Sequence, residues 1–391
     1  MKQKINNILF LIMGILVFST LCSTISSSVL HAPFTVPEVL IIPFLILRRK
    51  KFRSLTLNIK LFLKFLWITF FLVLIALLYG IFDFSSIVSC ARCYIYIFLG
   101  ICLFDSKNLF TDDDLMYLSL GSIIGWAIGA YSNLKYLMVE RSDAFISYGL
   151  FLAIPIFICL TLSRKKYLLF GIGLAFLIVV FMFAGIRRVI AVFIMSLVFY
   201  ILVNFTKSPK KIFPLLLLTI ILIGFFYLIL PLMESTVMDL SPYLYYRIFA
   251  RSQGALSSNA DSSDLTRLSN LTLLSSTNEN LFLPHGFNTI RYDKVVGSGV
   301  FNDVPVFSIA WIIGLPLTVI LLLYYVKIAL KAFRVYLSAE EPMVLSMIVS
   351  LLCMFCLLYL DGTFMTYVYA APITGLCLGK LKYYTSKKYR I

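Results

Sequence analysis

From Leu168 to Phe205 the chain runs 38 residues with only two charged side chains, Arg187 and Arg188, near its middle. One helix needs about 20 residues to cross a bilayer, so the run is nearly long enough for two crossings. Guanidiniums left at the centre of the hydrocarbon would cost roughly 2.5–3.5 kcal/mol each. Folding the run back on itself removes that penalty. Gly185 permits the turn, and Arg187 and Arg188 then open the second helix at headgroup depth. Similar apolar windows recur along all 391 residues, of which 61% are hydrophobic and only 13% charged. A soluble domain of this size needs more charge for its surface. The chain therefore reads as an all-α polytopic membrane protein. Its basic start, "MKQK", and first apolar segment lack a small-x-small cleavage site, so that segment reads as a retained helix.

Hydropathy gives about twelve transmembrane helices, near 8–25, 33–47, 61–81, 87–104, 115–132, 144–163, 168–184, 189–205, 212–232, 304–326, 343–360 and 363–379. Residues 1–232 hold helices one to nine. Residues 233–303 form one large extracytoplasmic loop, and 304–391 hold helices ten to twelve with a cytoplasmic tail. With both termini cytoplasmic, "RRKKFR" at 48–53, "RKK" at 164–166, "KSPKK" at 207–211, Lys327 with Lys331 and Arg334, and the tail "KLKYYTSKKYR" all fall inside. About 24 of the 34 basic residues then obey the positive-inside rule. The net charge of +16 is thus a topology signal, and no nucleic-acid partner is expected.

The other ten are Arg92, Lys135, Arg141, Arg187, Arg188, Arg247, Arg251, Arg267, Arg291 and Lys294, eight of them arginine. Lysine suffices for topology. Arginine adds a planar fork that binds phosphate or carboxylate through paired donors. A lone arginine at a helix end is ordinarily a snorkelling residue. Arginine at a helix N-terminus, however, sits at the wrong end of the macrodipole, where an anion is welcome. Their excess on the outer side points to a bound anion.

The 233–303 loop is too long for a connector. "SPYLYYRIFARSQGAL" (241–256) puts Arg247 and Arg251 at i, i+4 with Tyr243, Tyr245 and Tyr246 nearby, and "SSDLTRLSNLTLLSS" (262–276) spaces three leucines at threes beside Arg267. "NENLFLPHGFNTIRYDKVVGSGVFNDVP" follows, with His285, Arg291, Tyr292 and Asp303. A lone loop histidine is most often a solvated surface residue, and Asp303 before a helix suits an N-cap. "DDD" at 112–114 reads as a solvated helix start. Cys90-x-x-Cys93 and Cys353-x-x-Cys356 are isolated pairs, so all eight cysteines read as soft apolar filling and no metal centre is expected. Carboxylates inside the spans are nearly absent, which argues against an ion-coupled carrier. Neither a P-loop nor a dinucleotide fingerprint is present.

Taken together, "GIRR" at the outer end of a helix pair, one large external loop, "SDLTRLSNLTLL", "NLFLPHGF" and "NDVPVFSIAWIIGLP" resemble the Wzy-type O-antigen or capsular polysaccharide repeat-unit polymerases, relatives of the O-antigen ligases. The resemblance implies a GT-C-like polymerase/ligase architecture in the bacterial plasma (inner) membrane, with the active site facing outward. It implies a metal-independent glycosyltransferase without cofactors. The substrates would be undecaprenyl-diphosphate-linked glycans as donor and acceptor, with a chain-length regulator and a flippase as partners. Carried over by position, Arg187 matches the arginine after the small-residue turn and Arg267 the loop arginine upstream of "LFLPHGF". Ligase relatives often carry a His-Asn pair where this chain has Asn302-Asp303.

On this reading Arg187, Arg188 and Arg267 bind a departing diphosphate, with Arg247, Arg251 and Arg291 serving either diphosphate. His285 and Asp303 are the alternatives for the base that takes the acceptor proton. Tyrosines such as Tyr292 are candidates for stacking on sugars. The rival readings are a lipid-linked oligosaccharide flippase and an O-antigen ligase. A flippase would carry its cations inside the bundle behind short external loops.

Overall fold

The computed structural model describes residues 2–17, 59–79, 83–103, 110–132, 150–184, 187–205, 281–296, 305–358 and 371–386, with isolated helical residues at 224, 234, 238 and 239. The regular structure of these residues is all-helical, with no strand among them. In chain order the helices are α1 (Lys2–Val17), α2 (Ile59–Leu78), α3 (Phe84–Leu103), α4 (Asp112–Ser132), α5 (Leu150–Ser163) and α6 (Tyr167–Ala184). They continue with α7 (Arg187–Phe205), α8 (Thr289–Val296), α9 (Pro305–Ile313), α10 (Leu315–Ala339), α11 (Pro342–Leu357) and α12 (Ala371–Thr385). Two compact units divide the chain, residues 1–40 with 112–262 and residues 41–111 with 263–391. The expected spans at 33–47 and 212–232 lie outside the described residues, apart from Gly224.

In the first unit α1 crosses α4 at a glycine pair. A Cβ on Gly14 would overlap Leu118 O, and one on Gly121 would overlap Leu11 O, so the two backbones meet directly. Small residues at such crossings are how apolar helices approach closely without a hydrophobic drive between them. The three aspartates that open α4 suit the positive end of its dipole. They are not the solvated helix start expected from sequence. Arg164 pairs with Asp112, Lys166 Nζ stands 2.7 Å from Asp113 Oδ1, and fully buried Asp114 accepts a bond from Asn6 Nδ2 on α1. Asp114 is buried because α1 lies across the first turn of α4, a contact that no local pattern announces.

Within the long apolar run α6 ends at Ala184 and α7 begins at Arg187, and the expected turn at Gly185 lies outside the described residues. The 18 residues of α6 cover about 27 Å. The start of α7 therefore lies at the opposite end of α6 from the Arg164–Lys166 turn and its aspartates.

In the second unit α3 and α12 cross on glycines as well. A Cβ on Gly375 would come within 2.6 Å of Ile97 O, and one on Gly100 within 2.7 Å of the Gly375 Cα. Gly375 and Gly379 stand four apart in "GLCLG", placing both on the same face of α12. This helix runs on to Thr385, so Lys380 is not part of a solvated tail; it is fully buried. Six of the seven described cysteines are buried and the seventh, Cys356, is half-buried; all are free thiols packed among apolar side chains.

The expected tenth span, 304–326, is not one helix. It breaks after Ile313 at Gly314, whose φ of 86° is open to glycine, and resumes as α10 with Pro316 in its first turn. Proline has no N–H to give the carbonyl four residues back, here Ile312 O. The break is therefore written in "IIGLP". α10 then runs 25 residues, past Lys327, Lys331 and Arg334, and ends at Glu340 with φ 54°.

Among the described residues, two helical stretches, Lys60–Leu78 and Leu315–Ala339, are long and apolar enough to cross a membrane. Six further apolar helices among the described residues have 10–17 residues in their apolar stretches. α2 buries Leu72 and Ala76 on one side and exposes Leu63, Trp67, Phe70, Phe71 and Leu74 on the other. α10 exposes Leu317, Ile320, Leu323, Tyr324 and Leu330.

Candidate functional site

Residues 281–296, expected to belong to a loop outside the membrane, are packed into the second unit. Their backbone enters at the break between α9 and α10 and takes up the hydrogen bonds that the break frees. His285 N–H donates to Trp311 O at 2.8 Å and Gly286 N–H to Ile312 O at 3.2 Å, while Leu315 N–H donates to Leu281 O at 2.8 Å. The carbonyls at the end of α9 would otherwise be unpaired in an apolar setting, at a penalty of about 1–3 kcal/mol each. Gly286 makes the approach possible. Its φ is 66°, and a Cβ there would overlap Leu72 O on α2. Leu72 is six residues before the end of α2, about 9 Å down its axis. The segment thus dips well below the end of that helix.

His285 is only 1% exposed, which corrects its reading as a solvated surface residue. Its imidazole lies between two aromatic rings. Trp311 stacks at 4.0 Å and 14°, and Tyr79 stacks at 4.7 Å and 28°. Arg291 sits on the same aromatic group, with its guanidinium carbon 4.6 Å from the centre of the Tyr79 ring. It also donates from Nη1 to Tyr79 O at 3.0 Å, just past the end of α2, where helix carbonyls lack partners and favour a cation. Tyr292, expected to be available to sugars, is 1% exposed and meets Trp311 edge-on at 5.3 Å and 86°. It serves the core.

Two further residues of this cluster escaped the sequence reading. Asn288 is 1% exposed and caps α8, accepting from Arg291 N–H on Oδ1 at 3.0 Å. Trp311 is fully buried and donates from Nε1 to Asn288 O at 3.1 Å. Asparagine directly before "TIRYDKVV" is a readable cap signal. That a tryptophan 23 residues later closes on it is not readable. Arg92 was counted with the outer-side cations. It lies eight residues into α3, about 12 Å from the helix start and half-buried, beside the buried Ala91 and Cys93.

Among the expected site residues, His285 and Arg291 come together around Tyr79. Arg187 and Arg188 open α7 in the first unit. Arg247, Arg251, Arg267 and Asp303 lie outside the described residues, as do Tyr243, Tyr245 and Tyr246. No group of three metal-ligating side chains occurs among the described residues. Chemically, the arrangement offers an imidazole stacked between two aromatic rings and an arginine fork at a helix end. No family model matches the chain, and neither a curated protein nor a solved structure matches it.

Proposed function

We propose that the chain is a bacterial membrane glycosyltransferase of the polysaccharide-polymerase type, working at the outer face of the plasma membrane. It transfers a growing glycan from undecaprenyl diphosphate to a hydroxyl on a lipid-linked repeat unit. The observation that carries this reading is the position of the "LFLPHGF" segment. A histidine in an ordinary hydrophilic loop has no reason to be 1% exposed between Trp311 and Tyr79, at a break in an apolar helix, with an arginine on the same ring. Irregular backbone among apolar helices persists where it is buried in protein or lines a cavity, and discontinuous helices are recurrent substrate sites in membrane proteins. The apolar stripes of α2 and α10 and the glycine crossings support a lipid surrounding.

In the reaction, the anomeric carbon–oxygen bond to the donor diphosphate breaks and the acceptor oxygen bonds to that carbon. The acceptor proton passes to His285 or Asp303. The electron pair leaves on the diphosphate, which stays on undecaprenyl. Arg187, Arg188, Arg247, Arg251, Arg267 and Arg291 supply the cations for the two diphosphates, and no metal is needed for that charge.

A deletion of the gene complemented with Arg187→Ala, Arg267→Ala or His285→Ala tests the proposal, with glycan length read on a gel. Each substitution is expected to leave single repeat units on the acceptor. Loss of all surface glycan favours the flippase, and long chains stranded on the carrier lipid favour the ligase. Long chains of normal length from all three variants sink the assigned site.

A further inference from the structure

We infer that Asn288 is the positioning residue that fixes His285 and Arg291 together against the end of α2. The idea rests on the polymerase reading for what the pair does, though not for how the pair is held. Asn288 stands three residues after His285 and three before Arg291, and it bonds to three separate elements. Its Nδ2 donates to Ala76 O in the last turn of α2 at 3.3 Å. Its Oδ1 accepts from Arg291 N–H at the start of α8 at 3.0 Å. Its carbonyl oxygen accepts from Trp311 Nε1 on α9 at 3.1 Å.

The anchors of the two reactive side chains lie on those same elements. The His285 ring is held between Trp311 and Tyr79, and its amide by Trp311 O. The Arg291 guanidinium is held by the ring and carbonyl of Tyr79. Asn288 therefore ties Trp311 to the end of α2 by one buried side chain and its own carbonyl. Losing that tie lets both anchors drift with respect to each other. Groups that move a proton and bind a departing anion work only when held within about 0.5 Å of their productive geometry, and a misplacement of about 1 Å can lower rate on the order of a hundredfold.

Serine at this position separates the bonds. It keeps an N-cap acceptor for α8 but is too short to reach Ala76 O. The full-length chain carrying Asn288→Ser is compared with wild type in detergent by amide exchange, and in the deletion host by glycan length. Exchange at His285 and Gly286 is expected to rise about tenfold. The peptide covering 371–386 should stay unchanged, with normal chain abundance and a glycan ladder collapsed to short products. If the serine variant fails to accumulate, Asn288→Asp, which also keeps the cap acceptor and drops the donor, is read the same way. Unchanged exchange at 285–286 overturns the inference, and so does raised exchange with a full-length ladder. If wild type itself restores no ladder, the polymerase reading fails while the exchange result still decides the role of Asn288.

Discussion

At the scale of single residues, the second unit turns on a glycine and a histidine whose environments are opposite to what loop residues usually have. Gly286 combines a positive φ with a backbone contact on Leu72 that leaves no room for a side chain. Alanine there must adopt a left-handed conformation, which costs about 1 kcal/mol or more, and must also push the segment off α2. Gly286→Ala is therefore expected to lower the melting temperature of the purified chain by several degrees and to speed amide exchange at His285, whose N–H bonds to Trp311 O. A wild-type melting curve with exchange at His285 unchanged would contradict the docking of this segment. His285 itself was legible as a candidate from its neighbours in "LFLPHGF". Its burial was not, because the rings that cover it come from Tyr79 and Trp311, 206 residues before it and 26 after.

At the scale of elements, apolar length is readable and helix breaks are readable only when weighed. The 168–205 run is expected to divide because two guanidiniums in mid-bilayer would be too unfavourable; α6 and α7 lie on either side of the expected turn, which is itself outside the described residues. The same reasoning passed over "IIGLP", where glycine and proline two apart end α9 and start α10, because hydropathy is continuous through it. Glycine crossings were passed over for a similar reason: a glycine in an apolar window raises no hydropathy signal. The α3–α12 crossing supplies a prediction at this scale. Gly375→Val sets two methyl groups against Ile97 O and the Gly100 backbone, contacts already at 2.6 and 2.9 Å for a bare Cβ. Overpacking of this kind costs about 1–3 kcal/mol. The expected result is reduced accumulation and a lower melting temperature, partly recovered by Gly375→Ala; valine at wild-type stability would mean that the helices are not in contact there.

At the scale of the whole molecule, charge placement and helix length lead to a topology that experiment can check. The start of α1, the start of α4 and the α5–α6 turn gather at one end of the first unit through Asn6–Asp114, Arg164–Asp112 and Lys166–Asp113. The start of α7 lies about 27 Å away along α6. In the orientation that puts basic clusters inside, a fluorescent protein fused after residue 166 should be bright. A phosphatase fused after residue 186 should be active, and exchanging the two reporters should silence both. Activity of the phosphatase at both points would remove the two-helix crossing of 167–205. The ion pairs themselves contribute little to stability, since Arg164 is half exposed and such pairs are worth about 0–1 kcal/mol. Their value is in identifying which ends share a side.

By itself the sequence determined that this chain is helical and strongly apolar, and it led to the expectation that the 168–205 run turns at Gly185. Those properties follow from length, hydropathy and the position of charge along one stretch of chain. Only the tertiary structure decided that residues 285–288 are buried and that their segment mends the broken helix, that Asn288 joins three elements, and that Asp114 and Lys380 are interior. The physical reason is that hydrogen bonds to a helix end and contacts between bare backbones depend on which segments meet across dozens or hundreds of residues, and a local pattern carries no record of its distant partner.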